Sequence, residues 1–249
     1  MEEECSLMNT ACSDVVILCG GSGTRLKTVL RDRPKPMAPI HGRPFLDLVV
    51  NHVISHGFRR IIFCTGYRGE WIAQHFSPRI DIDAIMSHEE IPIGTAGALR
   101  ACRHALRSST VLVLNGDSLC AIDLAAFITE HRRRNASATV AVVPADDRSD
   151  GGGITLDSQH RITSFDEKTR GMYLNAGIYA LESMFLDQIP ERTPCSLEHD
   201  MFPALLGQGI HAIITQTPVH DIGTPARLDA FRTWMTTSVE KHIEKGAAC

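Results

Sequence analysis

The first 145 residues alternate continuous apolar runs with amphipathic segments, and this alternation restricts the chain to one class of fold. The apolar runs predict strands at 14–19, 59–66, 82–87, 110–117 and 137–143. The amphipathic segments predict helices at 44–57, 69–76, 95–106 and 124–134. Strands that are apolar throughout are typical of parallel sheets buried on both faces. The pattern therefore predicts an α/β fold with a mostly parallel sheet covered by helices.

The pattern changes after residue 145. It then predicts a hairpin at 152–168, a strand at 173–181, a helix at 196–209, strand-like pieces at 210–216 and 218–223, and a closing helix at 224–245. No linker rich in Pro, Gly or Ser divides the chain. We expect a flexible tail over 1–13 and one domain over 14–249, with an α/β half at 14–145 and an α+β half at 146–249. The cleft between the halves is the expected ligand site.

Charge and composition exclude several classes of protein. The formal net charge is -4, with both signs spread along the chain, which argues against a nucleic-acid partner. The N-terminus is acidic and polar, and no apolar run approaches the ~20 residues needed to span a bilayer. We therefore expect a cytoplasmic protein without a membrane partner. The 8 cysteines form no CxxC pair and are expected as buried or free thiols, and the 12 histidines show no catalytic or metal-binding spacing.

Three glycines and a basic residue follow the first predicted strand in the stretch CGGSGTR, at 19–25. Glycines allow a sharp turn that brings bare N–H groups to a ligand, and oriented N–H groups bind anions. A dinucleotide fingerprint needs a third glycine where Leu26 stands. A Walker loop needs Gly-Lys-Ser/Thr, whereas Gly23 is followed by Thr24 and Arg25. The loop therefore predicts a phosphate site but argues against hydride transfer and P-loop hydrolysis.

Basic residues are concentrated just after this loop. Between Arg25 and Arg43 there is one acid, Asp32, and there are six basic residues: Arg25, Lys27, Arg31, Arg33, Lys35 and Arg43. Such a segment is commonly a solvated surface loop. Pro34 and Pro36 restrict the backbone on either side of Lys35 and can direct its amine.

Carboxylates stand at the ends of two predicted strands. The buried strand at 110–117 ends in Asn115, Gly116 and Asp117, where ligand-contacting residues gather in open α/β sheets. Asp221 likewise follows a strand-like piece and precedes a helix. Each aspartate alone is equally well explained as a helix cap or turn residue. Together with phosphate oxygens, two such carboxylates provide the oxygen ligands that Mg²⁺ prefers.

The segments LCGGSGTR, at 18–25, and PKPMAPIHGRPFL, at 34–46, resemble the signature of the sugar-1-phosphate nucleotidyltransferases. Within that family, the sequence RDRPKPMAPIHGRPFLD, at 31–47, is most similar to the corresponding segment of the D-glycero-D-manno-heptose 1-phosphate guanylyltransferases. The match covers nearly all of the chain after residue 13. The resemblance implies a single-domain nucleotide-diphospho-sugar transferase fold, which is Rossmann-like with a mixed, mostly parallel sheet. It also implies that the α+β half binds the sugar phosphate.

The resemblance assigns roles to individual residues, and it implies Mg²⁺ as the cofactor. The implied catalytic residues are Arg25, Lys35 and Asp117, and the implied metal ligands are Asp117 and Asp221. The implied nucleotide contacts are Cys19, Gly20, Gly21, Gly23, Thr24, Arg25, Glu89, Gly94, Thr95, Ala96, Gly97, Asn115 and Gly116. The implied sugar-phosphate contacts are Gly153, Glu167, Lys168, Asn175, Ala176, Gly177 and Glu198.

Several of these residues have a purely structural alternative. The small residues at 92–97 are also typical of a turn followed by close helix packing. Glu198 is also expected in the first turn of a helix, where the dipole favours a carboxylate. Asn175, inside an apolar strand, is harder to explain in this way because a buried amide needs hydrogen-bond partners.

The implied reaction joins GTP to D-glycero-D-manno-heptose 1-phosphate, with release of pyrophosphate, in a monomer or homodimer. Residues 150–154 depart from the family pattern near the expected sugar pocket, so another sugar 1-phosphate (mannose, glucose or an amino sugar) or another nucleotide (UTP, dTTP, CTP or ATP) remains an alternative. A non-catalytic nucleotide-binding relative would be expected to lack a reactive-centre residue. Arg25, Lys35, Asp117 and Asp221 are all present.

Overall fold

A computed structural model describes residues 13–21, 23–145, 153–166, 171–191 and 194–246. Its strands are β1 Asp14–Cys19, β2 Pro39–Ile40, β3 Arg43–Pro44, β4 Arg60–Thr65, β5 Asp83–His88, β6 Thr110–Asn115, β7 Ser118–Cys120, β8 Ala138–Pro144, β9 Gly153–Leu156, β10 Ile162–Asp166, β11 Tyr173–Glu182, β12 Ile210–Ile214 and β13 Val219–Asp221. Its helices are α1 Lys27–Leu30, α2 Phe45–Ser55, α3 Gly69–Phe76, α4 Gly94–Ala101, α5 Leu124–Arg133, α6 Ser183–Leu186, α7 Phe202–Ala204 and α8 Pro225–Gly246.

Nine of the described strands form one sheet in the order β10-β9-β11-β6-β1-β4-β5, with β8 beside β11 and β12 beside β8. Strand β1 runs parallel to β4 and β6, and β4 runs parallel to β5. Strand β11 enters antiparallel between β6 and β8 and so joins the second half of the chain to the first half. The predicted mixed, mostly parallel sheet with flanking helices is confirmed.

The central strands send alternate side chains to opposite faces of the sheet. On β1, Val15 and Ile17 belong to an apolar cluster with residues of α2 and α8, whereas Val16 belongs to a second cluster with residues of α4. All three side chains are fully buried. This double burial explains why the strands read as continuous apolar runs in the sequence.

The carboxyl ends of the parallel strands bring three loops to one edge of the sheet. Cys19 pairs with Thr65, and Leu18 pairs with Asn115, so β1, β4 and β6 end side by side. The loops that follow are packed closely, since a Cβ added to Gly66 would lie 2.7 Å from the carbonyl oxygen of Gly20. The fold thus places the glycine-rich loop and the end of β6 at a common edge.

Some predicted helices are shorter than the sequence pattern indicated. The helix expected at 95–106 ends at Ala101 and continues as a 3₁₀ turn, Arg103–Ala105. The helix expected at 196–209 consists of a π turn, Leu197–Met201, followed by the single turn of α7. Pro203 within this segment removes a backbone donor, which limits regular helix there.

The last turn of α5 is rich in basic residues, but the first of them belongs to the core. His131 is fully buried, and its ring nitrogens contact the Thr139 hydroxyl at 2.7 Å and Glu182 at 3.0 Å. The five described cysteines are all buried, as expected. Within the described residues, every helix is too short or too polar to cross a bilayer.

Candidate active site

The glycine-rich loop and Lys35 form one wall of a cleft at the carboxyl edge of the sheet. Gly23 adopts a left-handed backbone, with φ of 55°, and a Cβ there would lie 3.2 Å from the Lys35 Cβ. Lys35 begins a 3₁₀ turn directly after Pro34, whose extended backbone is the N-cap. The cleft is lined by Leu18, Cys19, Gly21, Gly23, Thr24, Arg25, Lys35, Pro36, Asp117 and Gly223.

The Lys35 ammonium connects two carboxylates at this cleft. Its Nζ lies 2.5 Å from Asp117 Oδ2 and 3.7 Å from Asp221 Oδ1. The Lys35 side chain is only 12% exposed, whereas the Asp117 and Asp221 side chains are 38% and 32% exposed, so water screens the carboxylates more than the ammonium. Both carboxylates therefore converge on a single cation.

Asp221 reaches this point through strand pairing that the sequence pattern did not reveal. Strand β13 pairs antiparallel with β7, which places Asp221 opposite Ser118. The Ile222 N–H donates to the Asp117 carbonyl oxygen at 3.1 Å. Two aspartates more than a hundred positions apart in sequence are thereby fixed as neighbours.

The two carboxylates fit a divalent cation that takes its other ligands from a substrate. The Lys35 ammonium contacts both carboxylates, so their oxygens already face a shared cationic point. Among the described residues, no group of three or more His, Cys, Asp or Glu side chains could enclose a metal. Mg²⁺ is commonly held by one or two carboxylates plus water and phosphate oxygens, which matches this donor set.

The Glu89 carboxylate lies between the loops that follow β1 and β4. A Cβ on Gly20 would lie 2.5 Å from Glu89 Oε1, and a Cβ on Gly66 would lie 3.0 Å from the same atom. In the described part of the chain its hydrogen-bond donor is the Ile93 N–H, at 3.5 Å. The pKa of Glu89 is raised above its usual value, because the effect of burial exceeds the opposing effects of the Ile93 N–H and the nearby His88. A half-buried carboxylate with one long hydrogen bond can accept further donors from a ligand.

The segment from Ile93 to Gly97 is joined to the chain around Cys195. The Cys195 carbonyl oxygen accepts from the N–H groups of Ala96 and Gly97, at 3.0 and 3.1 Å. Gly94 has φ of 82°, and a Cβ there would lie 2.3 Å from that carbonyl oxygen. The Ala96 side chain is fully buried. The N–H groups of Ala96 and Gly97 and the Ala96 side chain are therefore engaged within the fold.

Glu198 is the centre of a buried hydrogen-bond network and is 9% exposed. Its Oε2 accepts from the hydroxyls of Thr95, at 2.8 Å, and Ser196, at 2.9 Å. Its Oε1 accepts from the Tyr179 hydroxyl at 2.9 Å, and that hydroxyl accepts from Asn175 Nδ2 at 2.7 Å. The network thus links a predicted nucleotide residue, Thr95, to two predicted sugar residues.

Tyr179 was missed by the sequence analysis because a tyrosine in an apolar strand is indistinguishable from an ordinary core residue. Burial, and then the neighbouring Glu198 carboxylate, raises the pKa of Tyr179 well above its usual value of 10. The hydroxyl therefore stays protonated and donates to Glu198.

The Asn175–Gly177 segment forms an irregularity in β11. Its pairing with β8 shifts register between Asn175 and Tyr179, and Gly177 has φ of 73°. A Cβ on Gly177 would lie 2.7 Å from Ser118 Oγ and 3.0 Å from Asn115 Nδ2. The bulge therefore brings β11 close to the end of β6, next to the residues that precede Asp117.

The remaining predicted sugar residues are less closely associated with this network. Ala176 is buried, with 1% exposure. Gly153 begins β9, where it pairs with Asp166 and packs against Gly171. Glu167 and Lys168 lie outside the described residues.

Cys19 lines the cleft at the end of β1 but is not suited to act as a nucleophile. Its side chain is 2% exposed, and a Cβ on Gly116 would lie 2.8 Å from its Sγ. Burial, and then the negative charge of Asp117, strongly raises the pKa of the Cys19 thiol. The thiol therefore remains neutral at physiological pH.

Known proteins are similar to this chain in both sequence and structure. A family model described as nucleotidyl transferase matches residues 14–235. A mannose-1-phosphate guanylyltransferase from Mycobacterium tuberculosis is 34% identical over 220 residues, which are 85% of this chain and 61% of that protein. A D-glycero-alpha-D-manno-heptose 1-phosphate guanylyltransferase from Campylobacter jejuni is 31% identical over 84% of this chain and 94% of that protein.

The chain therefore spans about three-fifths of the mannose relative's length but nearly all of the heptose relative's length. Among solved structures, HddC from Yersinia pseudotuberculosis complexed with GMP-PN superposes with a TM-score of 0.74 at 30% identity. That match covers 86% of this chain and 96% of the other. The family resemblance identified from the glycine-rich and Lys35 segments is confirmed.

Proposed function

Because the chain belongs to the nucleotidyl transferase family, we propose that it transfers a guanylyl group from GTP to a sugar 1-phosphate and releases pyrophosphate. The observation that carries the proposal is the convergence of Asp117 and Asp221 on the Lys35 ammonium, beside the glycine-rich loop. The positive charge of Lys35 beside the glycine-rich loop suits a reaction that brings two polyanions together.

The reaction in this proposal needs no general base. A phosphate oxygen of the sugar 1-phosphate is already anionic and attacks the α-phosphorus of GTP in line, as the bond to the pyrophosphate oxygen breaks. Positioning and neutralisation of the two polyanions are then the main catalytic contributions. Lys35 and Arg25 both line the cleft and supply positive charge towards the phosphates. The neutral Cys19 thiol has no covalent role.

Asp117 and Asp221 are the residues that would hold Mg²⁺ in this site. When bound, Mg²⁺ supplies positive charge that stabilises phosphate oxygens in the transition state and on the leaving group. Lys35 keeps the two carboxylates together, since its ammonium contacts both of them.

Guanine is favoured by the chemistry of Glu89. Guanine presents an N1–H and an exocyclic NH₂ on one edge, and a carboxylate can accept from both donors. Glu89 is a half-buried carboxylate beside the loops that follow β1 and β4, with one long hydrogen bond among the described residues. The guanylyltransferase relatives and the GMP-PN complex of HddC support the same choice.

For the sugar, we propose D-glycero-D-manno-heptose 1-phosphate as the first candidate and mannose 1-phosphate as the second. The heptose relative from Campylobacter jejuni matches this chain over 94% of its length. The mannose relative has the higher identity, 34%. In both cases Glu198 and Asn175 are expected to bind the sugar, because they form one network at the β11 bulge.

The test is pyrophosphate release by the purified protein with Mg²⁺, crossing GTP, ATP, UTP, CTP and dTTP with heptose, mannose, glucose and N-acetylglucosamine 1-phosphates. We expect turnover with GTP and heptose 1-phosphate, or with GTP and mannose 1-phosphate if the second candidate is correct. Mass spectrometry should show the matching GDP-sugar as the product. A strong preference for another nucleotide would refute the role of Glu89, and GTP binding without turnover of any pair would favour a non-catalytic relative.

A further inference from the structure

Asp221 has a second cationic neighbour besides Lys35. The Arg227 guanidinium donates from Nη1 to Asp221 Oδ2, on the side of the carboxylate away from the contact with Lys35. Arg227 belongs to the first turn of α8, where its backbone N–H donates to the Thr224 hydroxyl at 3.3 Å. Arg227 has no distinguishing signal in the sequence, because a single arginine in an amphipathic helix is typical of a solvated surface.

The two oxygens of Asp221 are held by different groups. Oδ2 accepts from Arg227, whereas Oδ1 accepts from the Gly223 N–H and lies 3.7 Å from Lys35 Nζ. Oδ1 is thus the oxygen that faces the cation shared with Asp117. A carboxylate bonded through one oxygen can still rotate, and a charge-assisted bond on the second oxygen removes that freedom.

We propose that Arg227 is a positioning residue for the metal site. It fixes Oδ2 of Asp221 and thereby holds Oδ1 towards the point on which Asp117 also converges. Arg227 acts through Asp221 and does not itself contact the reacting atoms. Groups that orient metal ligands typically contribute 10–100-fold to metal affinity or activity.

The proposal makes a prediction that a simple charge effect does not make. Arg227 is a positive charge near the metal site, so its removal by charge alone should strengthen cation binding. Loss of positioning should instead weaken binding, because Asp221 can then turn its oxygens away. The sign of the change in metal affinity therefore separates the two explanations.

The experiment measures Mn²⁺ binding to the full chain by electron paramagnetic resonance, without nucleotide or sugar. We expect Arg227→Leu to raise the Mn²⁺ dissociation constant about 10-fold, and Arg227→Lys, which keeps a charged donor, to restore part of the affinity. Asp221→Asn should abolish the binding and so identify the site. Arg232→Leu is the matched control, because it removes an arginine of the same helix that binds the Pro39 carbonyl instead. Circular dichroism confirms that each variant is folded.

Equal or tighter Mn²⁺ binding by folded Arg227→Leu would overturn the proposal, as would a wild-type protein that binds no Mn²⁺ or binds it at a site that Asp221→Asn leaves intact. In activity assays, which rest on the proposed function, the variant should lower kcat and raise the Mg²⁺ requirement while the KM for the sugar phosphate stays close to that of the wild type. Because Mn²⁺ binding needs no turnover, weaker binding in the variant together with an inactive wild type would reject the proposed function and leave the positioning role standing.

Discussion

At the scale of single residues, the site depends on groups that carry no charge as well as on those that do. Gly223 lies directly against the ion pair between Lys35 and Asp221. A Cβ at this position would lie 2.7 Å from Asp221 Oδ1 and 3.3 Å from Lys35 Nζ. Gly223 does not adopt the left-handed backbone conformation, so a side chain is excluded by the charged neighbours and not by backbone strain.

Gly223→Ala should therefore damage the site without unfolding the protein. The added methyl group must displace Asp221 or Lys35, and displacement of a reacting group by about 1 Å can cost about 100-fold in turnover. We expect a comparable loss in kcat, with a thermal midpoint close to that of the wild type. Steady-state kinetics and a melting curve on the same preparation measure the two effects. An alanine variant with wild-type kcat would show that the ion pair tolerates displacement.

The sequence identified Lys35, Asp117 and Asp221 as separate candidates, and the structure brings their charged groups together. Lys35 could be found because prolines flank it, and Asp117 because it ends a buried strand. Arg227 and Gly223 could not be found in this way, because what distinguishes them is contact with Asp221. A single sequence contains no record of contact between an aspartate that ends a short strand and an arginine in the helix that follows.

At the scale of elements, the hydrogen-bond network around Glu198 joins α4, β11 and the π turn. Three neutral hydroxyls, those of Thr95, Tyr179 and Ser196, donate to one buried carboxylate. A buried carboxylate is stable only when its oxygens are well supplied with donors. The network therefore supplies donors to both oxygens of Glu198 and fixes the π turn against the start of α4.

Tyr179→Phe removes one of these donors and leaves Asn175 Nδ2 without its acceptor. Loss of a hydrogen bond to a buried charged group costs about 1–3 kcal/mol, so we expect the free energy of unfolding to fall by that amount in urea titrations. The KM for the sugar 1-phosphate should rise more than the KM for GTP. Tyr173→Phe is the matched control on the same strand, since the Tyr173 hydroxyl has no partner among the described residues and should change stability by less than about 0.5 kcal/mol. Equal effects of the two substitutions would contradict a structural role for the network.

The larger elements could be predicted because their side chains repeat with a regular period. Strand β1 begins and ends where its apolar run does, and α3 matches the predicted helix at 69–76. The pairing of β7 with β13 left no such pattern, because each strand is three residues long and its partner is distant in sequence. Yet this pairing places Asp221 beside Asp117. The strand pairing that assembles the site therefore could not be predicted from a local sequence pattern.

At the scale of the whole molecule, histidines that are shielded from water contribute to the pH dependence of stability. Burial, and then the neighbouring His56, lowers the pKa of His52 from 6.5 to about 4. Burial also lowers the pKa of His131 and of His211. The unfolded chain binds protons at these histidines near pH 6.5, whereas the folded chain resists them, so the free energy of unfolding should decrease as pH falls from about 6.5 towards 4.

His52→Gln should flatten this decrease. Glutamine keeps a polar side chain at this position but does not titrate. Urea unfolding at several pH values between 7 and 4 measures the slope, which should be smaller in the variant than in the wild type. Identical slopes would show that His52 is protonated equally in the folded and unfolded states.

The central claim is that Asp117 and Asp221 act together with Lys35 and Arg25 to transfer a guanylyl group. The most direct measurement compares kcat for pyrophosphate release by Asp117→Asn and by the wild type, with GTP, the preferred sugar 1-phosphate and saturating Mg²⁺. Asp187→Asn, at an exposed ion pair with Arg103, is the matched control and should retain full activity. We predict a loss of about 10²–10³-fold for Asp117→Asn, the range typical when one electrostatic group is removed from an active site. A folded Asp117→Asn protein with near wild-type turnover would contradict the account.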